Sequence, residues 1–140
     1  MGGFRIIEDG ASADYEFEAT AGTLPELFAV CGQATFAAMT AIEKVRAELD
    51  IEFEIQAATL EELLYSYLSE LVFIKDTRKL FLSEFVIAID DRFRLTCRAR
   101  GELIDDNKHE IRTDVKAVTY HLLKITKVAG GYRAHVILDL

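Results

Sequence analysis

The sequence has one proline, two cysteines and no apolar run approaching the ~18 residues that span a bilayer. The opening stretch, "MGGFRIIEDG", lacks the basic start and long apolar core of a signal peptide. A soluble, cytoplasmic protein with no membrane partner is therefore expected. Cys31 and Cys97 stand singly among apolar neighbours. They read as small core residues rather than as a disulfide or a metal pair. There is no glycine-rich phosphate loop, no Gly-x-Ser-x-Gly, no His-Glu-x-x-His and no Cys-x-x-Cys, so the common catalytic signatures are absent. The histidines, His109, His121 and His135, are scattered. No repeat, low-complexity tract or linker divides the chain, and a single domain over residues 1–140 is expected.

Apolar residues make up 51% of the chain, enough for a core without covalent staples. The net charge of −8 is uneven. Residues 1–70 carry three basic and fourteen acidic side chains, and residues 71–140 carry thirteen and ten. An acidic protein grips nucleic acid poorly unaided. An acidic face suits a basic partner or a cation, or simply solvates the surface.

The apolar pattern predicts an α+β fold, mostly antiparallel sheet with two main helices packed on it. "FRIIE" reads as a short strand and "DGASAD" as a loop. "YEFEAT" alternates, as does "LDIEFEIQA", in which Leu49, Ile51, Phe53 and Ile55 oppose acidic and polar neighbours. Thr23 with Glu26, and Thr59 with Glu62, have capping-box spacing, and Pro25 is tolerated in a first turn. The first apolar stripe runs from Leu24 to Ile42, the second from Leu60 to Leu71. Four further strands are predicted in "LFLSEFVIAID", "RFRLTCRARGE", "IRTDVKAVTYHLLKITKV" and "YRAHVILDL", with Gly130 and Gly131 in the last hairpin turn. "DDNKHE" reads as a polar, mobile loop.

Carboxylates are the chemical lead. Asp139 sits one residue from the carboxylate of Leu140, and two anions so close repel unless a cation or donor compensates them. By alternation Asp139 shares a face with His135 and Ile137. Asp14 directly precedes a strand. If first and last strands are neighbours, Asp14, Asp139 and the Leu140 carboxylate form an all-oxygen site suited to a hard divalent metal ion such as calcium or magnesium. Lys116 alternates with apolar residues, either snorkelling at an edge or reaching toward an acidic centre or a phosphate.

Taken together, the motifs resemble the archease family. "DVKAVTYHLLKI" followed by "YRAHVILDL" resembles its C-terminal signature. "LLYSYLSELVFIKDTRKLFLSEFVI", "TLPELFAVCGQATFAAMT", "SAD" and "GELIDDNKHEIRTDVK" resemble further elements in the same order and spacing. Three departures stand out. Ala11 replaces the usual histidine-like residue upstream of the aspartate, and the "DGASAD" loop is about two residues longer. Ser66 and Tyr67 stand where the family pattern has aspartate and tryptophan.

The resemblance implies an archease-like domain and a non-enzyme accessory role toward an RtcB-type RNA ligase. That ligase joins RNA ends in transfer-RNA splicing and repair, using GTP and a divalent metal. The accessory protein promotes guanylylation of the ligase and its repeated turnover, meeting RNA only indirectly. The family's metal ligands correspond to Asp14, Asp139 and the Leu140 carboxylate, and its functional lysine to Lys116. Two alternatives remain open from the residues. One is a metal-dependent phosphoester hydrolase using the two aspartates and a histidine. The other is a chaperone-like modulator of nucleic-acid enzymes.

Overall fold

Two capped helices anchor the fold. The computed structural model describes residues 2–7 and 14–140. Helix α1 (Leu24–Ala37) begins where the Thr23 hydroxyl accepts the Glu26 amide at 3.3 Å, with Pro25 in its first turn. Helix α2 (Leu60–Arg78) starts the same way, with the Thr59 hydroxyl accepting the Glu62 amide at 3.1 Å. Each cap satisfies a donor that the first helical turn leaves over. α2 stops at Lys79, whose φ of 55° lets its amide close on the Lys75 carbonyl.

The strands are β1 (Gly3–Ile7), β2 (Tyr15–Ala21), β3 (Leu49–Gln56), β4 (Leu80–Ile89), β5 (Arg94–Leu103), β6 (Ala117–Val128) and β7 (Gly131–Asp139). They form two antiparallel sheets, a four-stranded one ordered β1-β2-β7-β6 and a three-stranded one ordered β3-β5-β4. The expected α+β class holds, with the strands divided between two sheets. A short 3-10 turn (Ile42–Lys44) follows α1. α1 packs on β2, β4 and β7, and α2 on β3, β4 and β6. One cluster of Phe17, Leu27, Phe28, Leu64, Leu68, Leu95 and Leu138 joins both sheets to both helices. Each such side chain contributes roughly 1.5–3 kcal/mol by leaving water.

Alternation in β3 has the predicted meaning from Ile51 onward, whereas Leu49 at the start of the strand is exposed. Ile51 is buried, while Asp50 and Glu52 lie opposite Arg100 and Arg98 on the solvent face. The Arg100 Nε donates to Asp50 at 2.8 Å. Cys31 and Cys97 are free and buried. Burial pushes both thiols up, Cys97 to about 12. Among the described residues no helix is long and apolar enough to cross a membrane.

Two boundaries and one loop differ from expectation. α1 ends at Ala37, though its apolar stripe continues to Ile42. Beyond it, the carbonyls of Ala38 and Met39 accept the amides of Thr113 and Arg112. Competition from that distant segment replaces further helix. For the same reason residues 111–116 form no strand, and β6 begins at Ala117. The "DDNKHE" loop is tethered rather than loose. Glu102 is buried; its carboxylate accepts the Arg46 amide at 2.8 Å and His109 Nε2 at 3.0 Å, and pairs with Lys108. The Asp105 amide donates to His109 Nδ1 at 3.0 Å, so Nε2 carries the proton. Burial opposes the Glu102 charge, but these donors outweigh it and hold its carboxyl down at about 2.

Candidate functional site

The ends of three adjacent strands meet at one edge of the four-stranded sheet. In the β2–β7 pair Tyr15 lies opposite Leu138, and Glu16 opposite Ile137. Asp14, one residue before Tyr15, therefore enters the pair at the level of Asp139. On the other side of β7, Ala117 lies opposite Asp139, and the Lys116 amide donates to the Asp139 carbonyl at 2.8 Å. Asp14, Lys116, Asp139 and Leu140 thus converge at one tip. The strand paired with the last one is β2, not β1. β1 instead covers the outer edge of β2.

Asp14, Lys116 and Asp139 are exposed, and Leu140 is half-buried. Among the described residues no three His, Cys, Asp or Glu side chains gather into a metal-holding group. The donor set at the tip consists of two side-chain carboxylates and the chain's terminal one. Such all-oxygen chemistry fits a hard divalent cation in an open site. Ala11 and most of the lengthened loop lie outside the described residues.

The face leading to the tip is ionised in an ordered way. Glu16 and Glu18 follow Asp14 on β2; Ile137, His135 and Arg133 precede Asp139 on β7. His135 Nδ1 donates to the Leu122 carbonyl at 2.8 Å, and its Nε2 meets the Glu16 carboxylate. Both ring nitrogens face acceptors, so the ring is an imidazolium when Glu16 is ionised. Burial opposes that charge, but the bonds to Leu122 and Glu16 outweigh it and raise the histidine above its usual range. Leu122 belongs to an irregular stretch of β6, where register shifts between Thr119 and Lys124, and it has a φ of 59°. Positive φ is rare for a bulky residue and marks a local feature the surrounding structure must hold.

Residues 111–116 reach Lys116 as an extended segment without strand pairing. Arg112 is fastened to the last residue of α1 through its guanidinium on the Ala37 carbonyl (3.0 Å) and to the turn after it through its amide on the Met39 carbonyl (2.9 Å). Further along, the Lys75 ammonium contacts Asp114 at 2.5 Å and the Val115 carbonyl at 3.2 Å. Sequence reasoning missed this contact. The signal was present, because Lys75 continues the buried stripe of Leu64, Leu68 and Leu71 at helical spacing.

A model of the Archease protein family (MTH1598/TM1083) matches residues 4–140. Similar curated proteins include the protein archease of Methanothermobacter thermautotrophicus, 38% identical over 143 residues and spanning 100% of both chains. That of Pyrococcus furiosus is 33% identical over 133 residues, covering 92% of this chain and 94% of its own. Among solved structures, the solution structure of Methanobacterium thermoautotrophicum protein 1598 superposes with a TM-score of 0.86 at 38% identity, covering 98% of each chain. A crystal structure from Thermotoga maritima, described as an archease and possible chaperone, gives a TM-score of 0.63 at 18% identity, covering 96% of this chain and 94% of that one. This last likeness concerns the fold alone.

Proposed function

The chain belongs to the archease family, and on that premise we propose that it is a non-catalytic accessory protein of an RtcB-type RNA ligase. It promotes guanylylation and repeated turnover of the ligase in the cytoplasm and meets RNA only through that partner. Asp14, Asp139 and the terminal carboxylate of Leu140 hold a divalent cation, calcium or magnesium. Lys116 stands beside them as the basic contact to the partner's nucleotide or metal pocket.

The observation that carries this reading is the register at the tip. The Tyr15–Leu138 and Ala117–Asp139 pairings bring both aspartates, the chain end and Lys116 to one sheet edge. A bound cation would supply positive charge that offsets the carboxylates and attracts phosphate oxygens. The protein's own part is to present that charge at an exposed end of a rigid sheet. Asp139 is the last residue of β7, and its carbonyl is fixed by the Lys116 amide.

The test is a multiple-turnover ligation assay with the cognate ligase, with and without this protein. Asp14→Ala and Asp139→Ala should each abolish the stimulation while leaving the fold unchanged by circular dichroism. Normal stimulation by both variants would sink the reading. A chaperone-like role is the second reading, favoured by the exposed apolar side chains of Phe73, Val86 and Leu122. It predicts suppression of client aggregation that survives loss of both aspartates.

A further inference from the structure

We propose that Lys75 is the positioning residue of the tip, fixing the peptide unit between Val115 and Lys116 so that Lys116 and the end of β7 keep one arrangement. The inference goes beyond the functional reading above and rests on it for its purpose. It starts from an oddity of burial. Lys75 lies in the buried face of α2 and is only 4% exposed. Its ammonium has three donors, and three acceptors meet it: Asp114 Oδ1 at 2.5 Å, Asp76 Oδ1 at 2.5 Å and the Val115 carbonyl at 3.2 Å.

Stability is a poor account of this arrangement. The cation is sunk, but its carboxylates are wet, with the Asp76 and Asp114 side chains 51% and 66% exposed. Burying the ammonium costs desolvation energy, and half-solvated partners return little of it. Methionine would fill a similar volume without that cost. What methionine cannot do is hold the Val115 carbonyl and the Asp114 carboxylate, which belong to the two residues just before Lys116.

Peptide planarity carries the effect further. The Val115 carbonyl and the Lys116 amide are opposite sides of one rigid unit. Lys75 grips the carbonyl side, and the Asp139 carbonyl accepts from the amide side. A single plane thus connects the buried helix to the end of β7. The Val115 side chain is fully buried and sets the depth of the segment. Burial of the side chain does not by itself set the rotation of the following peptide; the Asp139 carbonyl holds its amide side, and Lys75 holds its carbonyl side. Upstream, the Arg112 and Thr113 amides are fastened to the turn just past α1, so Lys75 is the anchor nearest Lys116 on that side.

The experiment compares Lys75→Met and the surface change Asp114→Ala with the wild type by amide hydrogen exchange in NMR. The Lys116 amide should exchange about tenfold faster in Lys75→Met, and by a smaller factor in Asp114→Ala, while amides of the β2–β7 pair keep their rates. Unchanged exchange at Lys116 overturns the proposal. So does an acceleration matched by the β2–β7 amides, which would mean general destabilisation. If Lys75→Met does not fold, Asp114→Ala decides alone by the same criterion. In the ligation assay a loosened Lys116 should come with lost stimulation, and full stimulation overturns the positioning role. If Asp14→Ala and Asp139→Ala also stimulate normally, the functional reading of the tip falls, and the exchange result still decides whether Lys75 holds the peptide.

Discussion

At the residue scale, charge state follows from who faces whom. His135 donates to the Leu122 carbonyl and meets the Glu16 carboxylate, and Glu18 adds attraction. Lys124 lies opposite in register, and Arg133 is two residues away on β7. A group whose folded-state value is raised stabilises fully below its unfolded value and loses that contribution as pH climbs through the folded one. The urea midpoint should therefore fall as pH rises from about 6.5 upward, and His135→Gln should flatten the slope. A wild-type midpoint constant between pH 6 and pH 8.5 would remove the imidazolium from the account. Such pairings were not readable beforehand. Alternation put His135 on the Asp139 face, but Glu16 and Leu122 reached it only through sheet pairing and an irregular stretch of β6.

At the scale of elements, local chemistry set the starts and distant contacts set several ends. Both capping boxes formed at the threonines that their spacing indicated. The end of α1 and the late start of β6 have one cause, the shared hydrogen bonds between residues 38–39 and 112–113. α2 shields the open side of β6, where Glu61 accepts the Ile125 amide at 3.1 Å and Tyr65 meets Tyr120 edge-on at 5.4 Å. In the smaller sheet, Gly101 lets β4 close up on β5. A Cβ there would stand 1.9 Å from the Phe81 carbonyl oxygen and 2.8 Å from the Leu82 Cα, beside the register shift between Leu82 and Glu84. Backbone cannot retreat as a flexible side chain can. Gly101→Ala should cost about 3 kcal/mol or more in urea denaturation. A loss within ~0.5 kcal/mol, as for an ordinary surface change, would show that the strands separate freely.

At the scale of the molecule, the start of β2 meets the end of β7. Tyr15 is adjacent to Asp14 and opposite Leu138, which offers an optical test of the proposed cation site. Terbium, standing in for calcium, should emit by tyrosine-sensitised luminescence. Adding one glycine after Leu140 displaces the terminal carboxylate and should weaken that binding about tenfold, since a hard cation depends on the number of its charged oxygens. Equal affinity would exclude the chain end as a ligand. The sequence by itself determined the α+β class, the helix starts, the facing of most strands and the suspicion attached to Asp139. Those features come from local periodicity, capping chemistry and the charge of neighbours along the chain. Only the tertiary structure decided that the strands split into two sheets, that β2 rather than β1 lies beside β7, and that a lysine from α2 grips the peptide before Lys116. Those outcomes depend on which distant donors and acceptors find each other, and a one-dimensional pattern carries no register between remote strands.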